Sequence, residues 1–96
     1  MRPSVALERN RQAIREIVAR NLAANPRVFG SVARGEDRDD SDLDLLVDAL
    51  PGATYVDMDE LKDELEEFLG LKVDVATETS MRPRIRAKAM AEARPL

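Results

Sequence analysis

Ser41-Asp42-Leu43-Asp44-Leu45-Leu46-Val47 is the stretch on which the fold turns. Leu43, Leu45 and Val47 fall on alternate positions, the period of a strand with one buried face, so Asp42 and Asp44 project side by side from the other face. Two carboxylates held that close repel each other. A divalent cation between them cancels the repulsion, and Mg²⁺ takes the hard oxygen ligands that a pair of acids offers.

Upstream, Arg27-Val28-Phe29 predicts a short strand running into Gly30-Ser31. The segment from Gly30 to Gly35 reads as a turn or a helix start, and the acidic, apolar-free run from Glu36 to Asp40 as a loop. Nearer the N-terminus, Ser4 is placed to cap a helix over about 4–24, with Leu7, Ile14, Ile17, Val18 and Leu22 at helical spacing and Asn25-Pro26 as its stop. Downstream, Leu50-Pro51-Gly52-Ala53 breaks the chain. Met58, Leu61, Leu65, Phe68 and Leu69 then mark an apolar core stripe opposite Asp59, Glu60, Asp63, Glu66 and Glu67, which predicts a helix over about 57–69 closed by Gly70. Residues 71–76 alternate as a third strand, with Val73 and Val75 inward and Asp74 outward. A weaker helix over 82–93 has Ile85, Ala89 and Met90 as its apolar contribution. The order α-β-β-α-β-α predicts an α/β (α+β) domain with a small mixed sheet of about three strands. Its helices pack chiefly on one face, and the site lies on the other face or at a sheet edge.

The length of 96 residues fits a single domain, 1–96, that buries roughly two-thirds of the surface its unfolded chain exposes and has no room for a second lobe. Fifteen Lys and Arg against nineteen Asp and Glu give a net charge of −4, which argues against a general nucleic-acid binder. Phe29, Tyr55 and Phe68 are too few aromatic rings for a base-stacking platform, so no nucleic-acid partner is expected. Charge is segregated: Glu36, Asp37, Asp39, Asp40, Asp42, Asp44 and Asp48 face one Arg38, whereas Arg82, Arg84, Arg86, Lys88 and Arg94 face one Glu92. No Cys and no His occur, which excludes disulfides, thiolate or imidazole metal sites and a histidine base; any metal must be held by oxygen. The N-terminus lacks the apolar run of a signal peptide, and no stretch approaches the ~20 apolar residues that span a bilayer, so no membrane partner and a cytoplasmic location are expected.

Asp74 occupies on its strand the outward position that Asp42 and Asp44 occupy on theirs, and three acids converge if the strands are neighbours. Three carboxylates can hold two Mg²⁺ ions about 4 Å apart, as in-line nucleotidyl transfer requires. Gly30 lets the backbone approach a phosphate oxygen, the N–H groups that follow point at the anion, and Ser31 adds a hydroxyl donor. Arg34 can reach a phosphate or pair with a loop acid.

Gly30-Ser31-Val32-Ala33-Arg34-Gly35, then Ser41-Asp42-Leu43-Asp44, then Val73-Asp74-Val75 resembles the minimal nucleotidyltransferase domain of the DNA polymerase β superfamily, whose signature is Gly-Ser, a gap of about ten residues, Asp-x-Asp on the next strand and a further Asp on a later one. Chains of this size resemble the MNT antitoxins, paired with HEPN-domain toxins. The resemblance implies an antitoxin that transfers AMP from ATP, with two Mg²⁺ ions, to a hydroxyl of the toxin, a tyrosine, within a hetero-oligomer. Asp42, Asp44 and Asp74 would be its catalytic and metal-binding residues, and Gly30, Ser31, Arg34 and Ser41 its nucleotide contacts. Competing readings are a non-catalytic antitoxin that acts by occlusion, and a small-molecule transferase like the aminoglycoside-modifying relatives.

Each residue also has a structural reading. Asp42 and Asp44 can be the solvated face of an edge strand, Asp74 can pair with Lys72, Gly30 and Gly35 can serve turns, and Ser41 can cap a turn. Glu36, Asp37, Asp39 and Asp40 read as loop solvation. The basic face of Arg82, Arg84, Arg86 and Lys88 is a solvated helix face, a docking surface for a protein or a contact for phosphate.

Overall fold

Leu43, Leu45, Leu46 and Val47 are all fully buried, so the strand that carries the aspartates is a central one, covered on both faces at its middle. In the computed structural model, which describes residues 1–96, the elements are α1 Pro3–Arg9, α2 Arg11–Arg20, β1 Ala23–Phe29, α3 Gly30–Arg34, β2 Leu43–Ala49, α4 Tyr55–Leu69, β3 Val73–Ala76, a 3₁₀ turn Glu78–Ser80, α5 Pro83–Glu92 and β4 Arg94–Pro95. The sheet order is β3-β2-β1-β4. β1 runs antiparallel to β2 and β4, while β2 and β3 are parallel and joined by a crossover through α4. The mixed sheet is therefore the expected one, with a fourth strand added: Arg94 and Pro95 pair with Val28 and Arg27, too short a run to carry an alternation signal.

Ile14, Ile17 and Val18 of α2, with Leu61 and Leu65 of α4, pack on Val28, Leu43, Leu45, Val47 and Val73 of one sheet face. Removing a Leu or Ile side chain from such a face costs about 2–5 kcal/mol, so this layer fixes the register of β2 and with it the face on which Asp42 and Asp44 emerge. α4 starts at Tyr55, two residues before the predicted start, and Thr54 caps it through a box in which Thr54 Oγ1 accepts from Val56 N–H and Asp57 Oδ2 accepts from Thr54 N–H. Phe68, expected in the core stripe, is half exposed. No helix is long and apolar enough to cross a membrane.

The N-terminal helix expected over 4–24 is two helices. Asn10 leaves helical geometry and its Nδ2 donates to the Ala6 carbonyl at 2.8 Å, the competition with the backbone that Asn offers in a helix interior. Asn25-Pro26 does not stop a helix. It lies in β1, where the pairing with β2 shifts register between Ala24 and Arg27 and Asn25 takes a φ of 52°. A bulge there accommodates a proline that a regular strand would not.

The cap of α1 is also not Ser4. Arg2 precedes the first turn with Pro3 at its start, and the Ser4 N–H donates to Asp37 Oδ2 at 2.8 Å. The Asp37 side chain is fully buried and accepts from Arg2 Nη2 at 3.3 Å. This acid, expected to be a solvated loop residue, instead ties the loop after α3 to the start of α1. Burial pushes its carboxyl up, and the Ser4 N–H and Arg2 guanidinium more than offset that, leaving it below the ordinary carboxylate value. A depressed value contributes stability above the unfolded pKa near 3.9 that is lost as pH falls through the folded one. Asp37→Ala is expected to cost about 1–3 kcal/mol at neutral pH, read from the urea midpoint, with the gap to the wild type narrowing below about pH 4.

Candidate active site

The parallel pairing of β2 with β3 sets Asp44 opposite Asp74, and the antiparallel pairing with β1 sets Phe29 opposite Asp44. Asp42 stands two residues before Asp44 on the same face. Burial, then the Asp74 charge, then the Asp42 charge push the Asp44 carboxyl up to about 6, against the pull of Arg34. None of the three acids forms an ion pair with a Lys or Arg, so the pairing of Asp74 with Lys72 does not occur. No group of three acidic side chains is drawn together closely enough to enclose an ion. A divalent cation fits this donor set on chemical grounds: the acids offer only oxygen, they lack a cationic partner, and Asp44 carries an ionisation penalty that a cation would relieve.

Gly30 starts α3 with a φ of 69°, and a Cβ there would lie 2.3 Å from Asp44 Oδ2. Glycine is required twice over, for the left-handed backbone and for the approach of Asp44 to the loop. Ser31 follows it, half-buried. Gly35 closes α3 with a φ of 73° and open space around its Cβ direction, so it is a turn residue. Ser41 Oγ accepts from the Arg38 N–H at 2.8 Å while the Ser41 N–H donates to the Arg38 carbonyl, so this side chain closes the turn ahead of β2.

Arg34 pairs with two acids. Its Nε donates to Glu36 Oε2 at 3.1 Å, and its Nη1 to Glu92 Oε1 at 2.9 Å. The other Glu92 oxygen accepts from the Gly30 N–H at 3.2 Å. Glu92 was not legible as a site residue, because nothing in a lone acid at the end of a basic helix says that it meets a loop 62 residues away. On α5 itself, Ala89 is the buried apolar contact, whereas Ile85 and Met90, expected inward, are 54% and 40% exposed. Arg86 turns inward instead, with its Nε buried and unpartnered, and the solvated basic face is Arg82, Arg84 and Lys88.

Two clefts flank the acids. A smaller one of about 150 Å³ lies between the β1–α3 corner and α5, bordered by Gly30, Arg34, Lys88 and Glu92. A larger, open one of about 650 Å³ lies on the β3 side, lined by Asp42, Asp74, Lys62 and Lys72. A groove of similar size between α2 and α4, with Arg20 and Phe68 on its walls, contains none of the three acids.

A Gly-Ser corner facing an Asp-x-Asp strand, with a third Asp beside it, is the arrangement of a nucleotidyltransferase. Residues 11–96 match the model of the nucleotidyltransferase domain, and the chain belongs to that family. It is similar to a candidate protein adenylyltransferase of Methanocaldococcus jannaschii, 44% identical over 66 residues that cover 69% of this chain and 71% of the relative. It is also similar to the protein adenylyltransferase MntA of Thermococcus cleftensis, 40% identical over 65 residues, covering 68% of this chain and 66% of that one. Among solved structures, a candidate minimal nucleotidyltransferase superposes with a TM-score of 0.86 at 47% identity, covering 97% of this chain and 95% of the other. A toxin–antitoxin structure with AMP-PNP shares the fold at a TM-score of 0.77 and 22% identity, covering 90% and 71%.

Proposed function

We propose that this chain is an antitoxin adenylyltransferase that moves AMP from ATP onto a hydroxyl, a tyrosine, of a HEPN-family toxin, and that residues 1–96 form one minimal catalytic domain. The observation that carries the chemistry is the cross-strand pairing of Asp44 with Asp74, with the Asp42 charge also acting on Asp44, against a glycine corner that only an unsubstituted backbone can form. The relatives named as protein adenylyltransferases, and the likeness to a toxin–antitoxin structure with AMP-PNP, support the donor and the class of acceptor.

Asp42, Asp44 and Asp74 would hold the Mg²⁺ ions through their carboxylate oxygens. When bound, the ions supply charge neutralisation at the triphosphate and lower the pKa of the attacking hydroxyl. The Gly30 N–H and Ser31 would hold the β and γ phosphates, with Arg34 in support, and so orient the α phosphorus for in-line attack. The acceptor oxygen bonds to that phosphorus as its bond to the bridging oxygen breaks; pyrophosphate leaves, and Asp74 assists removal of the hydroxyl proton. The open cleft beside Asp42 and Asp74 leaves room for a hydroxyl presented by another protein.

Incubation of the purified chain with MgATP and its HEPN-family toxin, followed by peptide mass mapping, is expected to place AMP on a toxin tyrosine. Turnover of an aminoglycoside or another small hydroxyl compound by the chain without a protein partner would contradict the assignment.

A further inference from the structure

Glu92 sits on donors that a nucleotide would need. Its two oxygens bridge the Gly30 N–H at 3.2 Å and Arg34 Nη1 at 2.9 Å, the backbone and guanidinium groups assigned above to the triphosphate. The side chain is only 17% exposed. Burial pushes its carboxyl up, yet the Arg34 and Gly30 hydrogen bonds, with the charges of Arg34 and Lys88, bring it below the ordinary value and keep it ionised. The small cleft thus has a backbone donor and two cations on its walls, and one internal anion that occupies the backbone donor and one of the cations.

The mounting of Glu92 allows it to leave. α5 is lightly held, with Ala89 as its one buried residue and Ile85 and Met90 largely outside. The chain just beyond is anchored: Arg94 and Pro95 pair with β1, and the Leu96 N–H donates to the Pro26 carbonyl at 3.1 Å. Glu92 therefore lies between a loosely packed helix and a strand that stays in place, and it can swing out without undoing the sheet. Triphosphate oxygens and this carboxylate cannot share one set of donors, because like charges at hydrogen-bond range repel and each would leave the other unpaired.

We propose that Glu92 is an internal stand-in for nucleotide phosphate, a latch that fills the Gly30–Arg34 corner until a triphosphate displaces it, and that it sets the affinity of the chain for nucleotide. This rests on the assignment of Gly30 and Arg34 as phosphate donors. Displacement releases the Gly30 N–H and Arg34 Nη1 for the anion and moves the end of α5, so the helix carrying the basic face changes position when nucleotide arrives.

Calorimetric titration with MgATP, and separately with inorganic tripolyphosphate, compares the wild type with Glu92→Gln and Glu92→Ala. Both variants are expected to bind both probes about three- to thirtyfold more tightly, since the site loses a competing carboxylate and one repelling charge. Unchanged or weaker binding by folded variants overturns the latch and leaves Glu92 as an anchor for Arg34. Failure of all three proteins to bind either probe overturns the phosphate assignment itself. If the variants do not fold, the side-chain carboxyl resonance of Glu92 in the wild type decides. It should move on saturation with tripolyphosphate together with the Gly30 amide, and a Gly30 shift without a Glu92 shift counts against the latch.

Discussion

Replacing Asp42 and Asp44 together by asparagine is expected to lower AMP transfer about a thousandfold or more while the protein stays folded. Loss of several kcal/mol of charge stabilisation at the transition state converts to that factor. The same change should raise stability in the absence of divalent cation. Asp44 is pushed up to about 6 by burial and by the Asp74 and Asp42 charges, so its ionised form is the strained one. A carboxyl raised in the folded state gives full stability below the unfolded value near 3.9 and loses it as pH rises through the folded value. A neutral amide in place of the Asp44 carboxyl carries no such penalty. At pH 7 to 8 in chelator the double variant should therefore melt at or above the wild type, and this difference should shrink toward pH 4. Lower activity with equal or higher stability separates a chemical role from a structural one. Beside it, a growth assay addresses occlusion: a catalytically dead variant that still protects cells from the toxin would favour a non-catalytic antitoxin.

Gly30→Ala is expected to cost about 1–3 kcal/mol in stability, from the left-handed backbone alone, and to reduce transfer by about a hundredfold or more in the fraction that remains folded. A Cβ at position 30 meets Asp44 Oδ2 at 2.3 Å and its Cγ at 3.2 Å, so Asp44 must rotate away from the corner to relieve the contact. Rotation is open to a side-chain end, and it takes the carboxylate out of register with Asp74. Gly35→Ala is the matched control. Its φ of 73° gives a similar strain, but nothing lies within 4 Å of the new methyl, so activity per folded molecule should be retained. Denaturation midpoints and transfer rates on the two variants check both expectations.

Those consequences trace back to what local pattern could and could not carry. Alternation in Leu43, Leu45 and Val47 placed Asp42 and Asp44 on one face, and Val73 with Val75 did the same for Asp74, because a strand period of two is a local property. The stripe through Leu61 and Leu65 with Gly70 behind it located α4 for the same reason. What escaped was settled by distant partners. Asp37 is an acidic loop residue until the Ser4 N–H is brought to it, and Glu92 is a helix-end acid until Gly30 and Arg34 are. The break at Asn10 depends on a side chain winning a backbone carbonyl, and Pro26 survives in β1 because a register shift frees it from the ladder. Inward Arg86 and outward Ile85 reverse hydrophobic order, since α5 offers the sheet only the small surface around Ala89.

The central claim is that this face moves a nucleotide, rather than a phosphoryl group, to a hydroxyl of another protein. The most direct measurement supplies the chain and its HEPN-family toxin with Mg²⁺ and with ATP labelled either at the α or at the γ phosphate. Label on the toxin from α-labelled ATP alone, with release of pyrophosphate, is the predicted result. Label carried over from γ-labelled ATP, or no label on the toxin from either, would contradict it.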